Sequence, residues 1–177
     1  MSQPAANDTA RIGRGMYFAF WMVVLGLLTL LFNNWYERQQ NPNQQLETRT
    51  TEGYSEVALE RNRYGHYLAS GRINGHDVVF LLDTGASDVS VPQHIADRLG
   101  LKPGRRIPYQ TANGTAYGYA TQLDRVALGG IELRDVRGHI NPNTDSDEVL
   151  LGMSFLRTLE FTQRGGTLTL RQVGGSD

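Results

Sequence analysis

The 177-residue sequence contains no cysteine. This absence excludes catalysis by a thiolate, disulfide bonds and zinc sites built on cysteine ligands. An excess of charge of either sign is also lacking, because 17 Lys and Arg are balanced by 18 Asp and Glu, for a formal net charge of −1. Such a chain has no electrostatic signature of nucleic-acid binding, and we expect no nucleic-acid partner.

Patterns of metal ligands are scarce as well. The four histidines are scattered without the spacing of a metal site: His66, His76, His94 and His139. Four side chains alternate like the first ligands of a calcium loop, but Ser146 stands where that loop needs glycine: Asn141, Asn143, Asp145 and Asp147. A solvated loop is the favoured interpretation, and we expect neither a metal ion nor another cofactor.

One long apolar run lies near the N-terminus. Between Arg14 and Glu37 there are 22 residues without a charge. As a helix, residues 15–36 span about 33 Å, enough for a bilayer core of about 30 Å. Trp35 and Tyr36 follow at the position of an interfacial aromatic belt. A cleaved signal peptide is the alternative, but no small-residue cleavage site follows the run, so we expect an uncleaved transmembrane anchor.

The charges that flank this run predict its orientation. Arg11 and Arg14 precede it, whereas Arg38 follows it beside Glu37. The positive-inside rule therefore favours a single-pass protein with its N-terminus in the cytoplasm and the remainder outside. Residues 37–56 are rich in Gln, Asn, Thr and Glu, which is typical of a flexible linker.

Beyond the linker, the sequence predicts short strands separated by turns. Asn74-Gly75 suits a type I′ turn and indicates a hairpin of residues 67–73 and 77–82. Further predicted strands are 122–128, 131–140, 160–163 and 167–171, and predicted helices are 92–99 and 155–159. The fold class is therefore all-β, with one or two short helices.

The strongest candidate for chemistry is Asp83. The apolar strand Val78–Leu82 delivers this carboxylate to Thr84-Gly85-Ala86, and Gly85 permits a sharp turn. Downstream, a second apolar strand ends at Gly152 and runs directly into a helical pattern.

Together, these two motifs resemble those of the retropepsin-like aspartic proteases, and most closely the bacterial, membrane-anchored members. The resemblance covers roughly residues 57–172 and implies an acid-protease barrel that hydrolyses protein or peptide substrates. It implies the following organisation: a short N-terminal tail (1–14), a membrane anchor (15–36), a linker (37–56), the protease domain (57–172) and a C-terminal tail (173–177). In a Gram-negative cell the protein would lie in the inner membrane, with its catalytic domain in the periplasm.

Aspartic proteolysis needs two carboxylates that share a proton, but only one Asp-Thr-Gly is present. The second carboxylate must then be Asp83 of another copy, so we expect an obligatory homodimer. By resemblance, Thr84 links the two active-site loops, Gly85 lets the substrate backbone approach, Ala86 supports the loop, and Gly152 lets the second motif pass behind the catalytic loop.

A flap that closes on substrate is expected about thirty residues after Asp83, around four residues: Ala112, Asn113, Gly114 and Thr115. An ordinary surface hairpin is the alternative there, and Tyr117 or Tyr119 is expected either in the cleft or in hairpin packing.

The retroviral ion pair near the dimer interface is missing, because its positions hold Ser87 and Met153. A non-catalytic, membrane-tethered dimeric module that binds extended peptides is the alternative function, but such a module has no need of an acid at Asp83.

Overall fold

The computed structural model describes residues 7–51, 53–111 and 114–173. The chain divides into two compact units, Met1–Arg38 and Gln39–Asp177. Helix α1, Asn7–Gln40, forms the described part of the first unit and begins within the predicted tail of residues 1–14. Its segment Gly15–Gln40 has a mean hydropathy of 2.1 in its most apolar window and is long enough to cross a membrane. An N-terminal signal sequence has the same properties.

The second unit consists mainly of short strands, as the sequence predicts. Its strands are β1 Thr48–Thr51, β2 Tyr54–Glu60, β3 Leu68–Ile73, β4 His76–Leu82, β5 Val89–Pro92, β6 Arg106–Thr111, β7 Gly114–Leu128, β8 Ile131–Asn141, β9 Glu148–Leu151, β10 Glu160–Arg164 and β11 Thr167–Val173. Two short helices complete it, α2 Gln93–Arg98 and α3 Met153–Leu156.

Seven of these strands form a sheet in the order β3-β4-β9-β5-β8-β7-β6. The sheet closes on itself because β3 also pairs with β7, with Arg72 opposite Ala127. Most pairs are antiparallel, whereas β4 with β9 and β5 with β8 are parallel. The closed sheet surrounds an apolar core whose largest fully buried side chains include Phe80 and Phe155.

The remaining four strands form a second sheet in the order β1-β2-β11-β10. Its core-facing residues Val57, Leu59 and Leu170 are buried, which joins it to the same hydrophobic core. The outermost strand, β10, is exposed along its whole length.

Hairpins with glycine turns are confirmed. Asn74 and Gly75, with φ of 51° and 86°, connect β3 to β4. Gly165, with φ of 58°, lies in the two-residue connection between β10 and β11. The predicted helix at 92–99 appears as α2, but α3 begins two residues earlier than predicted and ends at Leu156.

The predicted flexible linker, residues 37–56, differs from the structure. Asn43 is 4% exposed, and its amide nitrogen donates to the carbonyl oxygens of Leu68 at 2.6 Å and Glu60 at 2.9 Å. Its side-chain oxygen accepts from the backbone NH of Glu60 at 2.7 Å. A polar composition predicted disorder here, but one asparagine satisfies three backbone groups of two strands and fixes the segment to the second unit. Strands β1 and β2 also begin within it, at Thr48 and Tyr54.

Candidate active site

Asp83 lies directly after β4, between two neighbouring strands. Strand β4 pairs antiparallel with β3 and parallel with β9. The backbone NH of Asp83 donates to the carbonyl oxygen of Leu151, the last residue of β9, at 3.2 Å. The two apolar motifs of the sequence are therefore adjacent strands, and the second positions the residue that follows the first.

A tight turn presents the carboxylate. The backbone NH of Gly85 donates to Oδ1 of Asp83 at 2.8 Å, and the NH of Ala86 donates to the Asp83 carbonyl at 3.2 Å. Asp83 is half-buried, whereas Thr84 and Gly85 are exposed. These hydrogen bonds fix the backbone of the turn and one carboxylate oxygen, and Thr84 is exposed beside them.

Gly152 is packed against the back of this turn. A Cβ placed on Gly152 would lie 2.3 Å from the carbonyl oxygen of Asp88 and 2.6 Å from that of Ala86. The backbone NH of Met153 donates to the Ala86 carbonyl at 2.8 Å, and that of Ser154 donates to the Ser87 carbonyl at 2.9 Å. The absence of a side chain at Gly152 is what allows this close approach of two backbones.

Two further contacts brace the loop, and neither was predicted from the sequence. Ser154 Oγ donates to the carbonyl of Arg137 at 2.7 Å and accepts from the NH of Val89 at 3.1 Å. Asp88 accepts from Nε and Nη2 of Arg137, each at 2.7 Å. Asp88 follows Ser87, the position at which retroviral members carry the acidic residue of their ion pair. Because Asp88 and Arg137 are 49 residues apart in the sequence, no local pattern indicates that they pair.

A cavity of about 760 Å³ opens in front of Asp83. Its lining comes from the Asp83 turn, from β6 and from β8 and β9, and includes Asp83, Gly85, Ala86, Ile107, Tyr109, Thr111, His139 and Leu150. Strand β6 thus contributes one wall of the cavity. Tyr117 and Tyr119, expected either in the cleft or in hairpin packing, line a neighbouring cavity, whereas Tyr109 lines both that cavity and the one in front of Asp83.

The expected flap corresponds to the end of the β6–β7 hairpin. Thr111 is paired with Gly114, whose φ is 109°, and Thr111 Oγ1 donates to the Gly114 carbonyl at 2.8 Å. Thr115 is exposed at the start of β7. Ala112 and Asn113 lie outside the described residues.

Tyr109 connects this hairpin to β8. Its ring packs on the imidazole of His139 at a centroid distance of 4.5 Å, and its hydroxyl donates to Oδ1 of Asn141 at 2.7 Å. Asn143 Nδ2 donates to the same hydroxyl at 3.1 Å and to the carbonyl of Tyr117 at 2.9 Å. Asn141 and Asn143, considered above as calcium ligands, thus hold the hairpin over the cavity.

His139, on β8, is a buried titratable side chain in the lining of the cavity in front of Asp83. It is 6% exposed, and its Nε2 is buried without a hydrogen-bond partner in the described structure. Burial lowers the pKa of His139 below its ordinary value, and the negative charge of Asp88 opposes part of that decrease. Among the described residues, no cluster of three or more His, Asp or Glu side chains is placed to hold a metal ion.

The comparisons with known proteins agree with this geometry. Residues 69–158 match the family model described as "gag-polyprotein putative aspartyl protease". The chain is 32% identical to the retropepsin-like aspartic protease from Rickettsia conorii, with a TM-score of 0.57 over 72% of this chain and 96% of that chain. An uncharacterized Sinorhizobium protein is 32% identical over 91% of this chain and 75% of its own length. An uncharacterized Rickettsia prowazekii protein is 34% identical over 57% of this chain and 44% of its own length. From its strands to its active-site turn, the chain belongs to the retropepsin-like aspartic protease family.

Proposed function

We propose that this chain is a membrane-anchored aspartic endopeptidase whose active site is completed by Asp83 of a second copy. The observation that carries the proposal is the placement of Asp83 on a braced turn that opens into a cavity of about 760 Å³ beneath the β6–β7 hairpin. A cavity of this size accommodates several residues of an extended peptide. Each chain supplies only one such carboxylate, so the reaction requires a homodimer with a two-fold axis between the two copies of Asp83.

In this dimer the two carboxylates share one proton, because two negative charges a few Å apart are unfavourable. The ionised member accepts a proton from a water molecule held between them while that water attacks the scissile carbonyl carbon. The protonated member donates a hydrogen bond to the carbonyl oxygen, and a proton then reaches the leaving nitrogen. The pair titrates as one unit, so the acid and base roles belong to the pair and to neither chain alone.

The neighbouring residues have supporting roles in this proposal. Thr84, exposed next to Asp83, links the two catalytic turns across the axis. Gly85 and Ala86 border the substrate backbone, and Gly152 positions the turn from behind. The end of the β6–β7 hairpin, which includes Thr111, Gly114 and Thr115, closes over the bound peptide.

The anchor in this proposal is residues 15–36 of α1. Support comes from the length and apolar composition of the helix segment Gly15–Gln40. With the arginines ahead of the helix in the cytoplasm, the catalytic unit lies outside it, in the periplasm of a Gram-negative cell. The substrates are then extracytoplasmic proteins or peptides.

The substitution Asp83→Asn tests the mechanism. It retains size and the hydrogen bond from Gly85 but removes the ionisable group, so hydrolysis of a peptide library should fall by at least about a thousandfold. Unfolding by urea should be little changed. Wild-type turnover in the variant would contradict the proposal, and loss of peptide binding together with activity would indicate misfolding instead.

Mixing of the two chains tests the shared site. Excess Asp83→Asn chains, exchanged into a fixed amount of wild type in detergent micelles, should suppress activity because each mixed dimer holds a single ionisable carboxylate. If the rate of hydrolysis does not fall when the mutant is added, although subunit exchange is demonstrated, a single Asp83 is sufficient for catalysis. If wild type binds extended peptides in a dimer but never cleaves them, the non-catalytic peptide-binding module becomes the correct function.

A further inference from the structure

We propose that the cavity between the β6–β7 hairpin and residues 141–143 is a subsite for an acidic side chain of the substrate, and that Arg106 binds its carboxylate. The inference rests on the proposed function and deepens it by naming a chemical class of substrate. The preferred peptides carry Asp or Glu a few residues away from the scissile bond.

This cavity has a volume of about 750 Å³ and adjoins the one in front of Asp83. Three residues line both cavities: Tyr109, Thr111 and Asn141. An extended peptide advances about 3.3 Å per residue. A chain whose scissile bond lies at Asp83 therefore reaches the adjoining cavity within a few residues.

The lining of the adjoining cavity favours an anion. Among the described residues that line it, Arg106 is the only charged one, and no Asp or Glu is present. A substrate carboxylate that enters meets a cation without a competing acid. In the cavity of Asp83 the same carboxylate would approach the ionised catalytic pair and be repelled, so an acidic side chain fits better away from the scissile bond.

Arg106 is not neutralised within the chain. It is exposed at the start of β6, and it forms no ion pair with a described residue; its guanidinium carbon instead lies 4.1 Å from the centre of the Tyr117 ring. Other arginines of this unit are paired with carboxylates: Arg72 with Asp77, Arg137 with Asp88 and Arg171 with Glu56. Arg106 therefore retains its capacity to bind an acid from outside the chain.

The contact with Tyr117 also prepares Arg106 for binding. An aromatic ring attracts a guanidinium and limits the conformations of its long side chain, which reduces the entropy lost when a ligand binds. The N–H groups that point away from the ring can still donate to both oxygens of one carboxylate. A lysine would offer a point charge without this paired geometry.

The hairpin supplies a second donor on the same face. Arg106 pairs with Tyr119, and alternate residues of β7 share a face, so Thr115, Tyr117 and Arg106 lie on one side of the hairpin. Oγ1 of Thr115 accepts from Nε2 of Gln110 at 3.1 Å. The Thr115 hydroxyl proton remains available to a carboxylate bound at Arg106.

Other cavities of this unit that contain cations also contain acids. The cavity of about 810 Å³ is lined by Arg72 and Arg98 together with Asp77, Glu132 and Asp147. That of about 670 Å³ is lined by Lys102 and Arg137 together with Asp124. These mixed linings have no comparable preference for an anion.

The test uses the full chain in detergent micelles and a random library of short peptides. Their N-termini are acetylated and their C-termini amidated, so that side chains provide the only carboxylates. Mass spectrometry of the products identifies the cleaved bonds and the residues favoured at each position. Asp and Glu should be enriched at one position that is not adjacent to the scissile bond.

A peptide with Glu at that position and its Gln analogue give the decisive comparison. In wild type, kcat/KM should be at least about tenfold higher for the Glu peptide, because hydrogen bonds to a charged acceptor are the stronger ones. Arg106→Gln should reduce this ratio to within about twofold of unity, and Arg106→Glu should reverse the preference toward a peptide with Lys there.

Arg105→Gln is the matched control. It removes the same charge from the neighbouring residue, which does not line the cavity, and should keep the wild-type ratio. A ratio that Arg106→Gln leaves unchanged would overturn the subsite. An equal fall in Arg105→Gln would also overturn it, because general surface charge would then explain the preference.

Binding separates the subsite from the proposed function. On the full Asp83→Asn chain, fluorescence anisotropy of dye-labelled peptides should give a Kd at least about tenfold lower for Glu than for Gln. If wild type cleaves no peptide, the same measurement is made with a single Glu moved along an otherwise uncharged sequence. A Glu preference that depends on Arg106 without any cleavage would retain the subsite and refute the protease. Cleavage without a Glu preference would leave the protease standing and overturn the subsite.

Discussion

At the scale of single residues, the active-site turn depends on contacts that leave no room for additional atoms. Gly152 and Gly166 are both glycines outside the positive-φ region, but their surroundings differ. A Cβ on Gly152 would lie 2.3 Å from the carbonyl oxygen of Asp88, whereas a Cβ on Gly166 would have no atom within 4 Å. The backbone at Gly152 must therefore move if any side chain is added.

Gly152→Ala should consequently destabilise the second unit by about 1–3 kcal/mol and reduce kcat, because the displaced carbonyls belong to the catalytic turn. Gly166→Ala is the matched control and should leave both quantities within experimental error. Urea unfolding and peptide hydrolysis measure the two effects. An alanine at position 152 that behaves like the one at 166 would show that the turn tolerates a wider approach.

His139 predicts a pH dependence of stability. Burial lowers its pKa in the folded state, whereas in the unfolded chain the imidazole keeps the ordinary histidine pKa of about 6.5. As the pH falls below about 6.5, the unfolded chain binds a proton that the folded chain resists, so stability decreases until the folded pKa is passed. The stabilising effect of the neutral imidazole is fully present above about pH 6.5, where the imidazole is neutral in both the folded and the unfolded chain.

His139→Gln should therefore lose less stability than wild type between pH 7.5 and pH 5.5. The exposed histidine His76 provides the control, since His76→Gln should follow wild type. Urea unfolding at the two pH values gives the comparison. An identical loss of stability in wild type and His139→Gln would mean that His139 takes up its proton in the folded state as readily as in the unfolded chain.

At the scale of elements, the β6–β7 hairpin is held over the cavity by one tyrosine. The hydroxyl of Tyr109 bonds with Asn141 at 2.7 Å and with Asn143 at 3.1 Å, while its ring covers His139. These contacts join the base of the hairpin to β8. If the hairpin moves as a lid, as the proposed function requires, we expect the motion to be confined to the residues beyond Tyr109.

Tyr109→Phe keeps the ring and removes the hydroxyl, which frees the hairpin base. We expect KM to rise about three- to tenfold with kcat within about twofold, since a lost hydrogen bond of this kind weakens closure over the substrate. Tyr119→Phe removes an exposed hydroxyl outside the Asp83 cavity and should have no effect. If kcat falls and KM stays constant, Tyr109 acts in the chemical step and not in closure.

The elements show which features a sequence can predict. The turn at Asn74-Gly75 is predictable from the sequence because positive φ is a local property of one or two residues. The turn that carries Asp83 is also predictable, because an apolar strand and a glycine turn are adjacent in sequence. The bracing pair Asp88–Arg137 was not, since its partners are far apart and each is an ordinary surface residue in the sequence. The role of Asn43 was not predicted for the same reason, because its side chain bonds to backbone groups of Glu60 and Leu68, which are distant in the sequence.

At the scale of the whole molecule, the proposed mechanism makes activity depend on association, because each chain supplies one Asp-Thr-Gly carboxylate. In the proposed function, the membrane anchor confines both copies to one plane and raises their effective concentration, so a weak interface is sufficient in the bilayer. The isolated second unit, residues 39–177, lacks that confinement. A weak interface and a membrane anchor are thus mutually consistent parts of one proposal.

The proposed orientation follows from the charges on either side of the apolar run. Arg11 and Arg14 precede it, and Arg38 is partly offset by Glu37. Alkaline phosphatase fused after Asp177 should be active, because it folds only outside the cytoplasm, and a fluorescent protein matured only in the cytoplasm should be dark there. Replacing both leading arginines with Glu should shift the signals toward the opposite orientation, since the positive-inside bias would then favour the other end. Asp8→Asn leaves those arginines unchanged and serves as the control. A cytoplasmic signal from the wild-type fusion would place the catalytic unit, and its substrates, inside the cell.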